Sequence, residues 1–296
     1  MGKIDLEHTK KIKKVTIWGL VVNVLLSVLK FVFGTIGGSQ AVVADAVHSL
    51  SDIVTDVTIL VGVRYWSKPA DLTHPHGHRR LEVIVTMGIG VVLGIVATGI
   101  LYNALVTLYR HHESSPGWIA FWAAFVSIFS KEIVYQWTVR VGNRIKSAPL
   151  VANAWHHRSD ALSSIPAALA VAGAAINPRW AFLDHLGAVV VSIFIYYAAF
   201  KIVRPAFDTL VDRGAPEEDV EKIRMLALNT KGVKAVHEIR SRYISGISLA
   251  VDLHIEVDKG ITVKEGHDIA KEVKRTLLKE GPEVADVVVH LEPYEK

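Results

Sequence analysis

Cysteine is missing from all 296 residues. No disulfide can form and no thiolate site exists, so thiol usage reports no compartment and a soft-ligand carrier of copper(I) is disfavoured. A strong net charge is missing as well. Lysine and arginine number 33 against 29 acidic residues, and a formal charge of +4 is too small to indicate nucleic acid. The sequence holds no G-x-x-x-x-G-K-[ST], so nothing suggests nucleotide hydrolysis, and no H-E-x-x-H or convincing nucleophile or acid–base set, which argues against an enzyme. Gly/Ser-rich linkers, strong internal repeats and low-complexity tracts are lacking too. What is abundant is apolar: 51% of the residues are hydrophobic, gathered in blocks of about 20 as far as Val203. Beyond Asp212 the chain reads as an ordinary charged soluble domain.

A helix needs about 20 apolar residues to cross a bilayer. Six segments qualify: Val15–Ile36, Ser39–Trp66, Leu81–Tyr109, Trp118–Val141, Pro149–Ile176 and Leu183–Val203. The second and fifth are the least apolar, and a hydropathy window alone scores the second poorly. Lys10, Lys11, Lys13 and Lys14 precede the first run, which is as long as a full span and has no convincing small-residue cleavage site, so it reads as a transmembrane helix rather than a cleavable signal. The connection Ser67–Arg80 holds Lys68, Arg79 and Arg80, and Arg140–Ser147 holds Arg140, Arg144 and Lys146. The other connections are poor in positive charge: none in Gly37–Gly38, Arg110 alone after the third span and Arg179 alone after the fifth. Positive residues gather on the cytoplasmic side, so both termini are expected in the cytoplasm of a cell bounded by this inner (plasma) membrane.

The expected fold is an α-helical membrane protein: a six-helix transmembrane bundle over residues 1–212, then a cytoplasmic α+β domain over 213–296. In the latter, Glu217–Thr230 reads as an amphipathic helix, Val233–Ile244 and Ile247–Val257 as strands joined around Gly246, Thr262–Glu280 as a second helix and Ala285–Leu291 as a third strand. The order α-β-β-α-β implies a small open sheet with helices on one face.

Two spacings carry chemistry: His48-x-x-x-Asp52 in the second span and His156-x-x-x-Asp160 in the fifth. Residues four apart share a helix face, so each pair sets an imidazole beside a carboxylate at membrane depth. An aspartate there costs about 2.5–3.5 kcal/mol and tends to line a polar cavity. Asp45, His48, Asp52 and Asp56 fall within an arc of about 80°, and Asn153, His156, Asp160 and Ser164 form a matching seam. Structural hydrogen bonds between packed helices are the bland alternative. Two matched pairs can instead close a four-coordinate shell around a divalent metal. Asp45 and Asp56, near the span ends, are candidates for outer-shell or ion-path roles or for simply reaching the interface. His157 points about 100° away from His156.

The connection Asp71-Leu-Thr-His74-Pro-His76-Gly-His78 has a metal-binding composition, with Asp71, His74 and His78 as preferred ligands and a solvated loop as the alternative. In the strand Leu249–Val257, apolar residues alternate with Ala250, Asp252, His254 and Glu256, which puts His254 on the polar face. His290 and Glu292 share one face of the last strand, with His237 and His267 expected nearby; solvated surface histidines are the alternative.

The runs Ala44-Asp45-Ala46-Val47-His48-Ser49-Leu50-Ser51-Asp52 and Trp155-His156-His157-Arg158-Ser159-Asp160 resemble the signatures of the cation diffusion facilitator family of metal exporters. The loop Asp71…His74-Pro75-His76-Gly77-His78, followed by Arg80 and Glu82, is similar to that family as well. The resemblance spans almost the whole chain, implies six spans followed by a metallochaperone-like, ferredoxin-like α+β domain, and points to the bacterial ferrous-iron and zinc efflux type. It implies a homodimeric, proton-coupled antiporter that exports divalent metal from the cytoplasm. It further implies a transport site of His48, Asp52, His156 and Asp160, a loop site of Asp71, His74 and His78, and a site in the C-terminal domain, at the dimer contact, of His237, His254, His267, His290 and Glu292. Glu292 stands where several relatives have Asp, and Arg80 and Asp212 match positions that pair in some relatives. The two span histidines lean towards Zn2+ and leave Fe2+, Co2+, Ni2+ and Cd2+ open. The rivals are a passive divalent-cation channel or uniporter, an intramembrane metal hydrolase and a metal receptor that transports nothing.

Overall fold

The computed structural model describes residues 3–108, 115–144, 148–245 and 248–295; the side chains at 3–13, 55, 56, 59, 60, 63, 148, 149, 152 and 156 also lie outside the description. Arg110, Lys146, the turn at Gly246 and the side chains of Asp56 and His156 therefore fall outside the described residues. The elements in chain order are α1 (Lys3–Ile36), α2 (Gln40–Trp66), α3 (Arg80–Leu108), α4 (Trp118–Arg144), α5 (Ala148–Ser163), α6 (Ile165–Ile176), a 3-10 turn (Pro178–Trp180), α7 (Phe182–Leu210), α8 (Glu217–Leu228), β1 (Val233–Ser245), β2 (Ser248–Val257), α9 (Val263–Glu280) and β3 (Val284–Pro293). They form two compact units, Met1–Leu60 with Ile89–Phe200 and Val61–Gly88 with Lys201–Lys296.

Among the described residues, five stretches are long and apolar enough to cross a membrane: Lys14–Ile36, Arg80–Leu108, Trp118–Arg144, Asn153–Ile176 and Pro178–Leu210. Helix α2 has 27 residues, or about 40 Å at 1.5 Å per residue, but it is not among the five. Its side chains at 55, 56, 59, 60 and 63 lie outside the description. Leu25, Phe129, Leu169 and Ile193 stay exposed on the helices, the outward apolar surface a lipid solvent requires.

The fifth expected span, read as one helix over Pro149–Ile176, is broken between α5 and α6. Pro166 lies in the first turn of α6; it has no amide to donate and its ring crowds the carbonyl four residues back. Ser164 bridges the break in a helical conformation, its amide bonding the Asp160 carbonyl at 3.3 Å and its own carbonyl accepting from Ala168 at 3.1 Å. The result is a kink rather than an end. The last span runs on to Leu210, past the expected end at Val203 and through Pro205.

Small residues let the helices of the first unit approach. Val42, Ala120, Ala124, Ala168 and Val171 form one buried cluster drawn from α2, α4 and α6. A Cβ on Gly187 of α7 would stand 2.5 Å from that of Ala170 and 2.9 Å from that of Ala41, so only glycine fits. One turn earlier, Asp184 is 2% exposed and closes the start of α2 from outside. It accepts from Ser39 Oγ at 2.6 Å, from the Gln40 amide at 2.6 Å and from the Ala41 amide at 3.4 Å. The carboxylate thus serves as an N-cap supplied by another helix.

In the second unit β2 is central, antiparallel to β1 and parallel to β3. Leu249, Val251, Leu253, Ile255 and Val257 face Ile223 and Ala227 of α8 and Val273 and Leu277 of α9. Each such aliphatic is worth about 1.5–3 kcal/mol in burial. Thr262 starts α9 with a capping box: its hydroxyl accepts from the Glu265 amide at 3.2 Å, and Glu265 accepts from the Thr262 amide at 2.8 Å. Arg80 at the head of α3 pairs with Asp212 at 2.6 Å. Both are half exposed, so the pair contributes about 1 kcal/mol at most.

Asp184→Ala strips the cap from α2 and is expected to cost about 1–2 kcal/mol, read as a lower melting temperature of the detergent-solubilised protein, with Asp184→Asn losing less. An unchanged melting temperature in the alanine variant would contradict the cap.

Candidate metal centres

The polar seams of α2 and α5 meet. Ser164, at the end of α5, donates to Asp45 Oδ1 at 2.7 Å. Four residues further along α2, Ser49 accepts from Lys131 Nζ of α4 at 3.3 Å, and the same ammonium lies 3.8 Å from Asp160 Oδ2. As α2 advances from 45 to 49, α5 is met at 164 and then 160, so the two seams run antiparallel. Continuing by one helical turn sets Asp52 at the level of residue 156. His48 and Asp52 are half-buried and Asp160 is 7% exposed. The Nδ1 of His48 is buried with no hydrogen-bond partner among the described residues, the condition of a nitrogen with a lone pair or proton to offer. His156 belongs to the same seam by sequence, but its side chain lies outside the described residues, and the four expected ligands do not emerge as a cluster among those that are described.

Asp45 does not reach an interface. It is fully buried and held by Lys30, whose ammonium donates to Asp45 Oδ2 at 2.9 Å, to the Asp45 carbonyl at 3.2 Å and to Ser49 Oγ at 2.6 Å. His157 turns away from the seam, as its angle implies, to lie beside Gly19 of α1, with Asn153 Nδ2 at 3.4 Å from its Nε2. Arg158 stacks over Tyr135 of α4 at 4.7 Å and lies 3.7 Å from Glu132. The family-like run around Asp160 thereby clamps α5 to α4.

Asp71, His74 and His78 have ligand atoms within 4.8 Å of one another. The Asp71 carboxylate organises the turn, its Oδ1 accepting from the Thr73 hydroxyl at 2.8 Å, the Thr73 amide at 2.9 Å and the His74 amide at 2.7 Å. Those bonds, the Thr73 hydroxyl first and the His74 amide next, hold its pKa down to about 2. His78 Nε2 stands 3.4 Å from Asp71 Oδ2, and the two imidazoles are 4.4 Å apart. Gly77 has φ +80°, which glycine adopts without strain. His76 falls outside this group.

Strand register builds the third cluster. His237 pairs with His254 and His254 with His290, so three imidazoles form a row across the sheet on the face the helices leave open. His237, His254 and Glu292 have ligand atoms within 4.8 Å of one another. Glu292 lies 2.9 Å from His254 Nδ1, 3.1 Å from His237 Nε2 and 3.3 Å from His290 Nε2. Its pKa is lowered, chiefly by the His254 hydrogen bond. His267 is not brought to this group. It is exposed on α9, which packs on the opposite, apolar face of the sheet. Two carboxylates join instead: Glu256, 3.3 Å from His237, and Glu238, 3.9 Å from His254. Glu256 was visible in the alternation of β2, whereas Glu238 reaches the row through a bulge after His237 and a φ of 45°. Lys30, Lys131 and Ser49 were missed, whereas Ser164 already stood in the seam of the fifth span. For the two lysines the signal existed, an ionisable residue inside an apolar run.

Helices fit to cross a membrane, joined to a small three-stranded α/β domain, with histidine–carboxylate groups in each part, describe a multi-span transporter of metal ions. Residues 16–211 match the cation efflux transmembrane domain, and residues 215–294 match the cytoplasmic domain of cation efflux proteins. The chain belongs to the cation diffusion facilitator family, transporters of divalent metal cations. The manganese efflux system protein MneP of Bacillus subtilis (strain 168) is 32% identical over 95% of this chain and 96% of its own length. Metal tolerance protein C1 of Arabidopsis thaliana is 36% identical over 93% of this chain and 61% of that protein. The magnetosome protein MamB of Magnetospira sp. (strain QH-2) is 29% identical over 93% of each. Solved structures of the MamM CTD cover 27% of this chain at 26% identity, with a TM-score of 0.26.

Because the Asp71 carboxyl is depressed, the turn it holds is in force above the ordinary aspartate range and is lost only as pH falls through about 2. A carbon-detected NMR titration of Asp71 should show its inflection there, with none near the ordinary value of about 3.9.

Proposed function

We propose that the chain is a homodimeric antiporter of the inner (plasma) membrane that exports Zn2+ from the cytoplasm in exchange for protons, with both termini cytoplasmic and the boundary between its membrane and cytoplasmic parts at residues 212–213. The observation that carries this reading is the antiparallel meeting of the α2 and α5 seams, fixed by Ser164 on Asp45 and by Lys131 between Ser49 and Asp160. That register brings His48 and Asp52 towards the level of Asp160 and residue 156, which suits a four-coordinate site from two imidazoles and two carboxylates. The transport ligands are His48, Asp52, His156 and Asp160. Asp71, His74 and His78 form a loop site, and His237, His254, His290 and Glu292 a site in the C-terminal domain.

Coupling follows from shared lone pairs. Metal binds neutral imidazole and ionised carboxylate, and a proton competes for the same atoms. Loading from the cytoplasm, rocking of the bundle and protonation on the far side release the ion. Imidazole ligands favour zinc over manganese, which lies lowest in the divalent series and prefers oxygen. The name of MneP, a manganese efflux system protein, favours manganese as the second reading.

Proteoliposomes with an imposed pH gradient test both points. Zinc flux with stoichiometric proton counterflow is expected, falling to background in His48→Ala and Asp160→Ala while the protein stays folded and dimeric. Flux without proton movement would indicate a channel or uniporter; manganese flux exceeding zinc would reverse the metal assignment; near-normal flux in either variant would sink the site. In a separate zinc-binding titration of the full chain, His254→Ala and Glu292→Gln should each remove zinc bound in the C-terminal domain without lowering the melting temperature. Unchanged stoichiometry in both would remove that site.

A further inference from the structure

Two lysines lie inside the helical unit, and they are held differently. Lys30 of α1 spends all three ammonium donors, on Asp45 Oδ2 at 2.9 Å, the Asp45 carbonyl at 3.2 Å and Ser49 Oγ at 2.6 Å. Nothing about it is loose. Lys131 of α4 is 2% exposed, yet among the described residues its Nζ has a 3.3 Å bond to Ser49 Oγ and a 3.8 Å ion pair with Asp160 Oδ2 and no other hydrogen bond or ion pair. The ammonium stands between a hydroxyl one residue from His48 and the carboxylate of Asp160. Both contacts are at the long end of their range, so neither fixes it, and a shift of the flexible lysine stem favours one at the expense of the other.

We infer that Lys131 is a tethered counter-ion of Asp160 that an incoming divalent cation must displace onto Ser49. The inference rests on Asp160 being a metal ligand, as proposed above. A carboxylate buried in a low-dielectric interior is costly, and the ammonium offsets part of that cost while the site holds no metal. Metal and ammonium cannot share one oxygen: when the metal binds Asp160 the two cations repel and Nζ withdraws to its hydroxyl. Lys131 is thus a positioning residue that sets how readily the site is filled. The apparent dissociation constant is the intrinsic one divided by the fraction of protein whose carboxylate is uncovered.

Opposite signs in two variants separate this role from a structural one. Zinc binding is measured calorimetrically at fixed pH on the full-length protein in detergent, carrying His78→Ala and His254→Ala to silence the other two groups. Lys131→Met should tighten zinc binding by about tenfold, as expected if the carboxylate is covered about nine-tenths of the time, and Lys131→Arg should restore the weaker value. Ser49→Ala removes the withdrawn position and should weaken binding by about three- to tenfold on the same relation. Weakening in both variants, or no change in either, would overturn the inference. If Lys131→Met does not fold, Ser49→Ala decides alone: an unchanged affinity at an unchanged melting temperature rejects it. Undiminished zinc binding in Asp160→Ala would instead reject the site on which the inference rests.

Discussion

An ion in hydrocarbon must find its counter-charge within the protein, and the Lys30–Asp45 pair shows how that requirement shapes the helical unit. Both side chains are buried essentially completely. Taking each from water costs several kcal/mol, and losing one partner of such a pair costs about 3–5 kcal/mol. The ammonium fixes α1 against α2, and the second oxygen of Asp45, taken by Ser164, fixes α2 against the α5–α6 junction. Placing that junction at Ser164 depends on Pro166, which kinks the helix there. The hydroxyls of Ser163 and Ser164 then turn back onto the Asp160 carbonyl, at 2.9 and 3.1 Å. The level at which Asp160 faces α2 is therefore set by a pair that binds no metal in the proposed cycle.

The C-terminal domain reaches a histidine–carboxylate group by another route. Period-2 alternation sorts β2 into an apolar face, covered by α8 and α9, and a polar face left open. Register then aligns His237, His254 and His290 in one row, and the parallel pairing of β2 with β3 sets Glu292 beside Glu256. A slip of one residue would send His254 into the core and Leu253 outward. The apolar face, worth far more than any surface ion pair, enforces the register of the polar one.

The spans, the α-β-β-α-β order and the polar face of β2 were legible because apolar blocks and strict alternation leave few competing readings. The seams were legible for the complementary reason, since His and Asp stand out in an apolar run. Lys30 and Lys131 stand out equally as ionisable residues in apolar runs, but a lysine offers no metal-ligand signature. Ser164 was legible only by its spacing from Asp160, and Ser49 carries no such signal; a serine in a span is unremarkable until its partner is known. Asp184 caps a helix that begins 144 residues earlier in the chain, a relation no local pattern encodes. The break at Ser164 was signalled by Pro166, although a proline inside a span can kink a helix without ending it. His267 was expected beside the row from the family resemblance, and nothing in its own position on α9 fixes the side of the sheet it lies on. The helices must cover the apolar face, so the exposed side of α9 points away from His254.

In the proposed cycle, charge balance ties the two lysines to transport. Counted in their ordinary charge states, the described carboxylates of the seams, Asp45, Asp52 and Asp160, face two ammoniums, Lys30 and Lys131, a net of about minus one without metal and plus one with a divalent ion bound. The solvation cost of a buried charge grows with its square, so the two states are penalised alike. Without the lysines the same site would swing from minus three to minus one, and the empty state would be far the costlier. In the proposed exchange the returning state carries protons in place of metal, so each proton taken up moves its charge from minus one towards that of the loaded state. In that cycle a transport site counted as its metal ligands alone would lack this balance, and the ammoniums of α1 and α4 supply it.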